Sequence, residues 1–121
     1  MKYLLLICDD EKVWQKMSEQ ERQKMMGEYR QFGQDIRTSG NYLGGAQLQP
    51  ISAATTVRVR DGKRLVTDGP FAETREQLGG YYLVEAKNLD EAIGLAARIP
   101  SAKTGTIEVR PLVESAVPAP A

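Results

Sequence analysis

The sequence predicts an α+β domain of ferredoxin-like type, an antiparallel sheet with two helices on one face and an extra β-hairpin inserted between its halves. Three observations carry this. Two amphipathic stretches begin with N-terminal capping signals, strand-like stretches flank them in the order β-α-β, hairpin, β-α-β, and an Asp-Gly pair separates two alternating runs. A chain of 121 residues suits one domain with one core.

Lys2 to Cys8 carries leucine or isoleucine on both faces, the pattern of a strand covered above and below, and so of a central one. Ser18 with Glu21 forms a capping box. Met25, Tyr29, Phe32 and Ile36 follow at i, i+4, i+7 and i+11, which predicts a helix from Ser18 to Thr38 closed at Gly40. Val13 and Trp14 precede the box as a lead-in turn over that helix. Asn41 to Gln49 reads as a second strand, with Gly44-Gly45 marking a bulge or a close backbone approach and Pro50 ending it.

The runs Thr56–Arg60 and Arg64–Thr67 pair around Asp61-Gly62, because glycine accepts positive φ at no steric cost. Pro70 forces the chain out of the ladder near Asp68, and Phe71 is expected to plug into the core. Tyr81 to Ala86 follows Gly79-Gly80 as a second central strand. Asn88 with Glu91 starts a second helix whose apolar side is Leu89, Ala92, Ile93, Ala96 and Ala97, stopped by Pro100. Thr106 to Val113 alternates as a last strand with one wet face. The domain is thus expected over 1–113, with a disordered tail over 114–121.

Charge excludes some functions. Sixteen basic and sixteen acidic residues cancel, which is not the electrostatic footprint of a nucleic-acid binder. The apolar run Tyr3–Cys8 is too short for a signal peptide or a membrane span, and a lone cysteine cannot form an internal disulfide, so a cytoplasmic protein is expected. Both central strands are apolar on two faces, yet the helices cover only one. A partner sheet is the simplest cover for the other, which predicts a homodimer with sheets face to face and a cavity for a small molecule.

The stretch Arg60–Glu85 contains Asp68-Gly69-Pro70-Phe71, and Gly44 to Pro50 and Val109 to Leu112 read GGAQLQP and VRPL. These segments resemble the YCII-related family and, within it, the DGPF-type branch of small bacterial proteins. The resemblance implies a dimeric α+β barrel, no agreed reaction, and an association with extracytoplasmic-function sigma factors. It also implies an acid–base pair of histidine and aspartate, with the histidine on the first helix a few residues before a phenylalanine. Here Tyr29 stands three residues before Phe32, and the sequence contains no histidine at all.

The residues leave two classes of function open. One is a small-molecule enzyme or binding protein with a pocket near Asp68. Asp68 and Tyr29 are then the candidate catalytic groups, and Arg58, Arg60 and one of Tyr81 and Tyr82 the ligand contacts. Each also has a structural reading: Asp68 as acceptor of the turn's amides, Tyr29 as a core tyrosine, and Arg58, Arg60, Lys63 and Arg64 as the charged guard of an edge. The other class is a non-catalytic regulatory or interaction module. Cys8 sits beside Asp9 and Asp10, whose charge suppresses the thiolate, and Asp9-Asp10-Glu11 lacks the spacing of a calcium loop. No cofactor and no metal are expected.

Overall fold

The computed structural model describes residues 1–72 and 74–114. Its strands are β1 (Lys2–Asp9), β2 (Tyr42–Gln47), β3 (Thr55–Arg60), β4 (Lys63–Asp68), β5 (Gln77–Glu85) and β6 (Thr106–Pro111), and its helices α1 (Glu11–Lys16), α2 (Glu19–Thr38) and α3 (Leu89–Ala97). Four strands form one sheet in the order β2-β5-β1-β6 with every neighbour antiparallel, the ferredoxin-like arrangement. The expected tail lies outside the described residues apart from Glu114.

Local signals set the helix ends. The Ser18 hydroxyl accepts from the Glu21 amide and the Glu21 carboxylate accepts from the Ser18 amide, the reciprocal box that satisfies two orphan donors. At the other end Gly40 takes φ 81°, its amide donates to the Arg37 carbonyl, and the Asn41 amide donates to the Ile36 carbonyl. Asn88 caps α3 through the Glu91 amide. Glu91, however, does not reach back to Asn88, because its carboxylate accepts from the Asn41 side chain at 2.9 Å, tying α3 to the start of β2.

Alternation then builds the core. Tyr3, Leu5 and Ile7 of β1 and Val84 of β5 point to the helices, where they pack with Phe32 and Ile36 of α2 and Ala92 and Leu95 of α3. The buried face of α3 differs from the expected one: Ala92, Leu95 and Ala96 are inside, whereas Leu89 and Ile93 are half exposed. The sheet reaches α3 through small side chains on one flank, and Leu95, at i+3 from Ala92, completes that flank. Leu4, Leu6, Tyr81 and Leu83 alternate onto the opposite face, away from both helices, and are only half-buried.

Two irregularities shape the sheet. Ile7 pairs with Gly80 but Cys8 with Leu78, so Gly79 is the extra residue of a bulge. A Cβ on Gly80 would stand 3.0 Å from the Ala46 carbonyl oxygen, and one on Gly45 would stand 2.8 Å from that of Tyr81. The glycine pairs therefore let β2 and β5 approach, while β2 stops at Gln47, two residues short of the expected end, and β5 begins at Gln77, four residues ahead of the expected start.

β3 and β4 form a separate two-stranded ladder around Asp61 and Gly62, whose φ values of 51° and 72° match the expected turn with two left-handed residues. Phe71 does not plug the core. It is 74% exposed, with the Arg58 guanidinium 4.9 Å from its ring centroid. The reason lies in the turn before it: Gly69 takes φ 95° and donates to the Ala54 carbonyl, and Thr56 donates to the Gly69 carbonyl, so the chain is held on the hairpin instead of returning to the sheet.

Candidate functional site

A cavity of about 520 Å³ lies between α1, α2 and the C-terminal end of β1, bounded by β2 and β5. Its apolar walls include Trp14, Met25, Met26 and Tyr42, and its polar edge includes Asp9, Tyr29 and Ser101. The local sequence explains the opening. α1 is a short helix capped by Asp10, whose carboxylate accepts from the Lys12 amide, and it carries Trp14 over the mouth, steadied by Arg22 at 5.7 Å from the indole centroid. Glu11 accepts from the Ile51 amide at 2.8 Å and ties α1 to the segment after β2.

At the polar edge the Tyr29 hydroxyl lies 2.5 Å from the Ser101 hydroxyl. Ser101 is the buried polar side chain of the described core, 6% exposed, and follows Pro100 where the chain leaves α3. Asp9 accepts from Thr104 at 2.7 Å and from the Asp10 amide. Gly105 makes this closeness possible, since a Cβ there would overlap the Cys8 carbonyl oxygen and stand 2.9 Å from the Asp9 carboxyl carbon. Burial pushes the Tyr29 phenol above its ordinary range; hydrogen bonding to Ser101 pulls it back, and the Asp9 carboxylate adds to the rise. Tyr29 is accordingly a proton-bearing donor near neutral pH, not a base.

Tyr82 faces the same space, edge-on to Phe32 at 5.2 Å and to Tyr42 at 6.4 Å between centroids. Burial, then the neighbouring Tyr29 and Tyr42, push its phenol up to about 12, while Arg37 opposes them. Tyr81 borders the cavity too, although alternation turns its ring to the other face of the sheet. Of the residues singled out from sequence, the fold brings together Tyr29, Tyr81 and Tyr82. It does not bring Asp68, Arg58 or Arg60 to them: all three are exposed on the hairpin and absent from the cavity lining. Among the described residues no amide donates to the Asp68 carboxylate, the Gly69 amide being spent on Ala54.

Asp9, Ser101, Trp14, Arg30 and Arg37 also line the cavity and were not singled out as a ligand site by sequence. One signal did exist. α2 contains Gly27 and Gly33, and an interior glycine costs a helix about 1 kcal/mol relative to alanine, so each needs a local reason. Cys8 lies outside this site, its thiol pushed up by burial and then by Glu108 and Glu76 instead of the adjacent aspartates.

The profile of the YCII-related domain matches residues 1–116. An uncharacterized protein of Rhizobium meliloti (strain 1021) is 40% identical over 114 residues, covering 93% of this chain and 92% of its own. The chain belongs to the YCII-related family. As a YCII-related protein it has, among the described residues, no helix long and apolar enough to cross a membrane, and no cluster of three His, Cys, Asp or Glu side chains placed to hold a metal ion.

Proposed function

We propose that this YCII-related protein is a dimeric small-molecule-binding protein whose site is the cavity under α1 and α2. The observation that carries the reading is the Tyr29–Ser101 pair set at the polar edge of an otherwise apolar and aromatic cavity of about 520 Å³, a volume within the range of small-ligand sites. The reading centres on Tyr29 and Asp9, with Asp68 and the hairpin arginines outside it. Tyr29 supplies a donor, Trp14 and the methionines supply apolar contact, and the half-buried outer sheet face of Leu4, Leu6, Tyr81 and Leu83 supports a second copy packed against it.

Trp14 is the single tryptophan of the chain and borders the cavity, so its fluorescence reports on occupancy. Titration with 2-naphthamide, an aromatic body bearing a hydrogen-bond acceptor, is expected to give a saturable change in Trp14 emission. Tyr29→Phe should weaken it about five- to tenfold, the worth of one hydrogen bond. A linear, non-saturating response would overturn the reading.

A further inference from the structure

The cavity is electrically lopsided. Its carboxylates are all engaged by donors of the fold: Asp9 by Thr104 and the Asp10 amide, Asp10 by the Lys12 amide and by Arg75 at 3.6 Å, and Glu11 by the Ile51 amide. Its two cations, Arg30 and Arg37, form no ion pair with any carboxylate among the described residues. Both also line a second cavity of about 460 Å³ together with Gly27, Gly33, Tyr29 and Tyr82, so they form a wall shared by two spaces.

Gly33 leaves room for the Arg37 guanidinium, whereas Gly27 is in ordinary contact with that of Arg30. A Cβ on Gly33 would stand 2.9 Å from Nη1 of Arg37, and one on Gly27 would stand 3.7 Å from Nη2 of Arg30. Each arginine thus folds back along α2 over a glycine, Arg30 from i+3 and Arg37 from i+4. Arg37 is further held against the Tyr42 ring, its guanidinium carbon 4.1 Å from the centroid. Such stacking fixes the plane of the guanidinium while leaving its edge donors available.

The position of Arg37 along the sheet is equally specific. Tyr42 pairs with Val84, which pairs with Tyr3, whereas Asp9 pairs with Gln77. Six residues of β1 separate the two levels, about 20 Å in a strand. Arg37 therefore stands at the far end of the cavity from the engaged carboxylates, and Tyr82 near it retains its proton and adds no charge.

We propose that Arg37 binds the carboxylate of the ligand, with Arg30 adding positive charge to the same wall, and that the ligand is a small aromatic or apolar carboxylic acid whose body lies along Tyr42, Tyr82 and the methionines. The proposal rests on the cavity reading above. A planar guanidinium presents two parallel donors to a carboxylate, and both arginines, exposed and without an ion pair among the described residues, keep those donors free for a ligand.

Calorimetric titration with 2-naphthoate and 2-naphthamide, which share a body and differ in charge, tests it. The carboxylate is expected to bind at least about tenfold more tightly than the amide, the increment of a charge-assisted over a neutral hydrogen bond. Arg37→Gln and Arg30→Gln should each reduce that ratio toward one by weakening the carboxylate more than the amide. Lys24→Gln, a charge removed from the same helix off the cavity, should leave the ratio intact. Equal binding of both probes, or a ratio indifferent to both arginine variants, overturns the anion site while the cavity reading stands. Failure of both probes to bind overturns the cavity reading and this inference with it.

Discussion

Tyr82 shows how one side chain serves packing and electrostatics together. Its ring fills the space between Phe32 and Tyr42, and that burial holds its phenol protonated up to about 12. In the unfolded chain the same group titrates at about 10. Between these values the folded state keeps a proton that the unfolded state gives up, so stability is complete below pH 10 and falls as pH rises through about 12. Melting temperature measured across that interval is expected to decline, and Tyr82→Phe should flatten the decline without abolishing it, because Tyr29 is shifted in the same direction. An identical alkaline profile in the two proteins would show that Tyr82 titrates as it does in solvent.

At the scale of elements, the sequence was legible wherever the signal was local. The Ser18–Glu21 box, Gly40 after α2, Asn88 before α3 and the Asp61-Gly62 turn are each decided by a few adjacent residues, and each appears where those residues require it. Contacts between elements were less legible. The face of α3 depends on what lies opposite it, which periodicity alone does not state. Phe71 depends on whether the chain returns to the sheet after Pro70, and Gly69 decides that it does not. For the site, Tyr29 and Tyr82 were within reach because they lie on recognisable faces of α2 and β5. Asp9, Ser101 and Thr104 were not, since they meet only when the turn before β6 closes on the end of β1. Gly105 is the hinge of that meeting. Gly105→Ala is expected to destabilise by about 1–3 kcal/mol, the usual cost of overpacking, because both of its closest neighbours are backbone or the carboxylate of Asp9. Chemical denaturation measures the loss, and a variant as stable as the parent would mean that β1 and this turn are not held together as described.

Seen whole, the four-stranded sheet has unequal faces. Leu5 is fully buried against the helices, whereas Leu83, one strand away on the opposite face, is only half-buried beside Leu4 and Gly44. Charge substitutions at these two positions should therefore fail differently. Leu5→Asp buries an unpaired carboxylate at a cost of several kcal/mol, comparable with the roughly 5–15 kcal/mol stability of a domain, and is expected to unfold the protein. Leu83→Asp places its charge where water already reaches in a single chain, so the fold should survive. If a second copy covers that face, the same charge lies at the middle of an apolar interface and should drive dimers to monomers. Light scattering at micromolar concentration, with circular dichroism confirming the fold, distinguishes the outcomes. A parent protein that is already monomeric would remove the face-to-face assembly from the proposal, and a Leu83→Asp dimer would place the interface elsewhere.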